Sequence, residues 1–153
     1  MGGEALGASG GSRLGGFARV PAEGREPLLF PLAWELTDEY VHCVAASGDT
    51  GSGRLLERVT FRDSPDCAGT DRSDLSERER ASVRSLESAA VRRLAKVLAF
   101  QAGGGEVEVV REPIERGFAP PRLFARGAAE PLAGWDLTLS HDGAFVAAVL
   151  SHP

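Results

Sequence analysis

Residues 135–150, WDLTLSHDGAFVAAVL, constrain the fold more than any other stretch of the chain. Trp135, Leu137 and Leu139 alternate with Asp136, Thr138 and Ser140. A period of two places one set on each face of a strand. Asp142-Gly143 then marks a tight turn, because both central positions of a type I′ turn need positive φ. The return run, Ala144 to Leu150, is apolar at both parities and predicts a strand buried on both faces. The stretch reads as a β-hairpin whose tip carries Ser140, His141 and Asp142.

Such a hairpin needs cover, and residues 75–101 supply the clearest helix. Val83, Leu86, Ala90, Leu94 and Val97 recur at three- and four-residue spacing, which puts one stripe against a core. Asp74 can cap this helix, and Glu77 and Glu79 complement its dipole in the first turns. Ser85, Ser88, Arg92 and Lys96 mark the opposite face. Gly103-Gly104-Gly105 stops the helix. Upstream, residues 39–46 (EYVHCVAA) read as a strand, with His42 and Cys43 on opposite faces. Residues 47–53 are a loop by composition. Residues 55–61 (LLERVTF) read as a strand, in preference to a short helix, because they end Val-Thr-Phe. Residues 62–74 are polar and read as a long surface loop. Downstream, residues 106–111 alternate as a half-exposed strand, and residues 122–126 form another short one. The order predicts an α+β fold, a largely antiparallel sheet packed against one long helix and ending in the hairpin.

The first 26 residues hold eight Gly and almost no apolar periodicity. They cannot bury enough surface to offset their ordering entropy, so a mobile segment is expected there, before a single domain at 27–153. Residues 27–36 (PLLFPLAWEL) read as an arm packed through Phe30 and Trp34. Pro27 and Pro31 argue against a central strand. The net charge of -5 gives no footprint for nucleic acid. No window approaches the roughly 18 apolar residues of a membrane span, and the N-terminus lacks a secretory apolar core. Cys43 and Cys67 lack metal or redox spacing, and Cys43 reads as core. A cytoplasmic protein is the expectation.

The hairpin and helix also carry a family resemblance. Leu137-Thr138-Leu139-Ser140-His141-Asp142-Gly143, followed by Phe145-Val146-Ala147-Ala148-Val149, resembles the S-x-SH segment of 4′-phosphopantetheinyl transferases, with Thr138 where the first Ser often stands. Arg92-Arg93-Leu94-Ala95-Lys96-Val97-Leu98 is similar to the R-[WF]-A-x-K-E-A helix of the holo-acyl-carrier-protein synthases. It matches the Arg and the Lys and places Val97 where a magnesium-ligating Glu stands. Tyr40-Val41-His42-Cys43-Val44-Ala45-Ala46 and Leu75-Ser76-Glu77-Arg78-Glu79-Arg80 resemble, alternatively, the N-terminal half of the surfactin-type enzymes. That half contributes coenzyme A contacts but no metal ligands, and as an isolated half it implies a homo-oligomer.

What the resemblance implies is binding of coenzyme A or a phosphopantetheine arm, and action on an acyl or peptidyl carrier protein. Ser140, His141, Arg92 and Lys96 would contact the phosphates. Asp38, or alternatively Asp49, would supply a carboxylate to Mg2+, and Glu79 or His42 would act as base. A Val cannot ligate a hard cation. The same resemblance therefore also accommodates a catalytically degenerate or re-purposed relative that recognises a carrier protein or its cargo. Ser140 and His141 are not a catalytic dyad, because adjacent strand residues point to opposite faces.

Overall fold

The computed structural model describes residues 54–67 and 72–153 in full, and the backbone of three strands at 12–20, 28–36 and 41–45. The chain divides into two compact units, Met1–Gly51 and Ser52–Pro153.

The first unit is a three-stranded antiparallel sheet of β1 (Ser12–Val20), β2 (Leu28–Leu36) and β3 (Val41–Ala45), in the order β1-β2-β3. Ser12–Val20 is therefore a strand, inside the segment for which the composition predicts no structure. β2 is the central strand despite Pro31. Pro31 lies opposite Phe17 of β1, beyond the described pairs of β3, which run from Leu32 to Leu36 of β2.

The second unit carries β4 (Arg54–Phe61), α1 (Glu77–Arg80), α2 (Leu86–Gln101), β5 (Val107–Val110), β6 (Pro113–Ile114), β7 (Gly117–Phe118), β8 (Arg122–Ala125), β9 (Asp136–Asp142) and β10 (Phe145–His152). β10 lies between β4 and β9 in one antiparallel sheet, β5 pairs with β8, and β6 with β7. The fold is α+β, with antiparallel sheets and one principal helix, as the sequence predicts.

The terminal hairpin forms, with two differences. Its last pair is Asp142 with Phe145, so the loop is Gly143-Ala144, one residue later than expected, with Gly143 at φ 55°. Only glycine adopts that φ without strain. The return strand β10 alternates between buried and half-buried positions, with Val146, Ala148, Leu150 and His152 inward.

The long helix predicted over 75–101 is two helices. Ser76 opens α1 with a capping box: its hydroxyl accepts from Glu79 N, and the Glu79 carboxylate accepts from Ser76 N. Ser85 caps α2 by accepting from Ser88 N. Two serine caps nine residues apart offer the backbone a break that an apolar stripe alone does not reveal. Asp74, the expected cap, instead pairs with Arg93. α2 ends in a Schellman motif, with Gly104 N donating to Ala99 O and Gly103 N to Phe100 O, and Gly103 at φ 85°.

α2 is the centre of the core. Val91, Leu94, Ala95 and Leu98 pack in one cluster with Val146, Ala148 and Leu150 of β10, Leu137 of β9, and Val109 and Leu123 of β5 and β8. Apolar groups therefore meet the helix from both the β4-β10-β9 sheet and the β5-β8 pair. β5, read as half-exposed, is buried at all four positions, Glu108 included.

Acid exposes one local tie. Arg62, just after β4, pairs with Glu87 in the first turn of α2. The Glu87 carboxyl is lowered to about 2, first by its own backbone N–H, then by Arg62 and Ser85. A depressed carboxylate contributes stability above its unfolded value and loses it as pH falls through the folded value. The urea midpoint is expected to fall between the ordinary value of 4.5 and about 2, and less steeply in Glu87→Gln. Superimposable pH profiles would refute this tie.

Candidate functional site

A cleft of about 800 Å³ opens between the segment leading into α1, the outer face of α2 near its C-terminus, and the start of β5. Val97, Phe100 and Val107 give it apolar walls, and Lys96 and Arg126 stand at its rim. Phe100 is 71% exposed, which leaves an aromatic ring facing solvent.

Glu79 lies under the floor with no exposed surface. Its Oε1 accepts from Val109 N at 2.8 Å, a β5 donor that β8 does not use. Its Oε2 accepts from Ser76 N and from Lys96 Nζ, both at 2.8 Å. One carboxylate thus caps α1, closes the open side of β5 and holds the sole lysine of the chain. A general base must reach the proton it removes. Glu79, expected from the sequence as a base, is enclosed and engaged at both oxygens, so its place is that of an anchor.

The other carboxylates of the cleft are also paired. Asp74 meets Arg93 at 2.6 and 2.8 Å, a two-pronged contact that holds its carboxyl below the ordinary value. Glu106 pairs with Arg126 at 2.9 Å, and Glu108 with Arg78 at 3.4 Å. Arg78 also donates to Ala128 O and lies over the Phe124 ring at 4.4 Å. Every acid lining the cleft therefore already has a cation.

The four expected phosphate contacts are not brought to one place. Trp135, at the start of the terminal hairpin, packs at the C-terminal end of α2, where a Cβ on Gly104 would lie 2.9 Å from its ring. The hairpin tip lies at the opposite end: Arg62 N donates to Ala144 O at 2.7 Å, and the Arg62 side chain pairs with Glu87. Ser140 and His141 are both exposed at that tip, on opposite faces of β9. Lys96 is about 14 Å farther along the helix axis than Glu87, at about 1.5 Å per residue, and it is turned toward α1. Arg92, expected on a solvated face, is 2% exposed and donates to Ser88 O, Ser88 Oγ and Ser82 Oγ.

His42 lies on β3, where the backbone alone is described, and Asp38 and Asp49 lie outside the described residues. Among the described residues, no three of His, Cys, Asp and Glu cluster as metal ligands. Val97, which by the sequence resemblance stands where a magnesium-ligating Glu is expected, lines the cleft, and the neighbouring carboxylates are committed to arginine and lysine. These residues do not fit a magnesium site. Sequence reasoning missed Phe100, Arg126 and Val107. The signal available was Phe100 itself, an aromatic residue off the core stripe in the last turn of the helix.

Comparison with protein-family models, curated proteins and solved structures finds no match to this chain. No helix among the described residues is long and apolar enough to cross a membrane.

Proposed function

We propose that the Ser52–Pro153 unit is a non-catalytic binding module, a relative of the phosphopantetheinyl transferases that holds a pantetheine-type arm and so engages an acyl or peptidyl carrier protein in the cytoplasm. The observation that carries this reading is the pairing of all four carboxylates in the cleft. Paired charges leave no acid to take a proton or bind a hard cation, and they give the cleft little net pull on a polyanion. An elongated, neutral amide chain suits such a site better than the phosphates of coenzyme A. Its apolar segments can lie on Val97 and Phe100, and its amides can meet the polar rim. A volume of about 800 Å³ is within the usual range for small-ligand sites, about 300–1,000 Å³. The ligand class itself comes from the sequence resemblance of the hairpin and helix.

Calorimetric titration of pantetheine and of coenzyme A into the full chain, with and without magnesium, tests this. Pantetheine is expected to bind without magnesium, and coenzyme A no more tightly. Phe100→Ala removes an exposed ring and should leave folding intact while weakening pantetheine about tenfold, or about 1.4 kcal/mol. Val97→Trp should fill the cleft and abolish binding. Magnesium-dependent binding of coenzyme A would instead favour an active transferase. An absence of binding to either compound would remove the pantetheine arm from the account.

A further inference from the structure

A second feature lies away from the cleft, around the loop between α1 and α2. Among the described arginines that are not exposed, Arg58, Arg62, Arg78 and Arg93 each pair with a carboxylate. Arg92 and Arg111 do not. Arg92 is 2% exposed and meets only neutral oxygens of Ser82 and Ser88, and its Nε has no hydrogen-bond partner. Arg111 donates only to the carbonyls of Ala119 and Phe118, at 2.9 and 3.2 Å. These two cations influence one another. Burial pushes the Arg92 guanidinium below its ordinary value, Glu79 draws it back up, and Arg111 lowers it again. A third guanidinium joins them from the surface: Arg84 and Arg111 lie 5.5 and 5.9 Å from the centroid of one ring, Phe118.

A buried cation is costly unless a counter-charge and hydrogen bonds meet it. Here the hydrogen bonds are partly present, and no described carboxylate forms an ion pair with either cation. Glu79, the acid that offsets Arg92, already holds Lys96. The arrangement has an excess of positive charge at Arg92 and Arg111, with Arg84 exposed at its edge and Phe118 as a wall. Guanidinium groups match oxyanions, whose planar or tetrahedral oxygens accept two donors at once.

We propose that Arg84 and Arg111, beside Phe118 and backed by Arg92, form an oxyanion-binding site for a phosphate or carboxylate group. The ligand would seat at the exposed Arg84 side and supply a counter-charge that no described carboxylate provides there through an ion pair. This site stands independently of the cleft and of the arm proposed to occupy it.

Thermal unfolding of the full chain in inorganic phosphate tests the proposal, with sodium chloride at matched ionic strength as reference and acetate as a parallel probe. A ligand that binds only the folded state raises its melting temperature saturably. Phosphate, acetate or both should do so where chloride does not, and the stronger of the two identifies the class of oxyanion. Arg84→Gln and Arg111→Gln should each weaken the apparent affinity about tenfold. Arg126→Gln, at the rim of the cleft, should leave it unchanged. Arg84 is exposed, so its variant keeps the fold even where Arg111→Gln loosens the loop. No saturable effect beyond chloride, or an effect that survives Arg84→Gln undiminished, overturns the site.

Discussion

Replacing Glu79 by alanine is expected to destabilise the Ser52–Pro153 unit by about 3–5 kcal/mol, the range for removing one partner of a buried ion pair. Three donors lose their acceptor together: Ser76 N, Val109 N and Lys96 Nζ. Unsatisfied buried donors carry their full desolvation cost. The helix cap, the open side of β5 and the lysine fail at once, so the loss should exceed that of an ordinary capping change, which is about 1 kcal/mol. Total stabilities are about 5–15 kcal/mol, so this one change should remove a large share. Urea unfolding measures it. Lys96→Met leaves the carboxylate with its two backbone donors, and Glu79→Gln keeps one acceptor for Val109 N. Each should therefore cost less than Glu79→Ala. The double variant Glu79→Gln/Lys96→Met should cost less than the two single changes summed, because neither partner is left charged and alone. A Glu79→Ala chain within about 0.5 kcal/mol of wild type, the range of neutral surface changes, would show that the carboxylate anchors nothing.

The role of Glu79 marks how far the sequence could be read. Period-two alternation is a strong signal and placed the terminal hairpin, and the Val-Thr-Phe end of residues 55–61 marked the strand at 54–61. The apolar stripe correctly put Leu94 and Ala90 in the core. It also placed Leu86 there, yet Leu86 is 58% exposed. Leu86 keeps the phase of Ala90 and Leu94, but it is the first residue of α2, beside a break that the stripe does not reveal. Charge was the weaker guide. Lys96 and Glu108 read as exposed, but each is buried or half-buried because its partner lies far away in sequence, as Glu79 does for Lys96 and Arg78 for Glu108, while Arg92 is buried against the serines Ser82 and Ser88. Nothing in local spacing reveals a contact across 17 residues or the unused donor of β5. The cleft escaped notice for the same reason, since its walls come from three separate stretches.

Leu94→Ala should cost about 3–5 kcal/mol, in the upper part of the range for leucine truncation. Leu94 has no exposed surface and sits in the cluster that joins β10 to β5 and β8. The cost of a truncation depends on how far the surroundings can collapse into the space it leaves. α2 is met by strands of two sheets, so a shift that closes the gap on one side would open one on the other. Ala90, Ala95 and Ala99 already let the strands approach closely. Leu94→Met conserves volume and should cost less than about 1.5 kcal/mol. Leu86→Ala, on the same helix but exposed, should stay within about 0.5 kcal/mol. The contrast between Leu86 and Leu94 tests how far the core extends along α2, because the sequence stripe alone predicts that both are core. Comparable losses at the two positions would mean that the first residue of α2 is enclosed as fully as its middle. A loss confined to Leu94 follows if the strands enclose the middle of α2 and leave its first residue open.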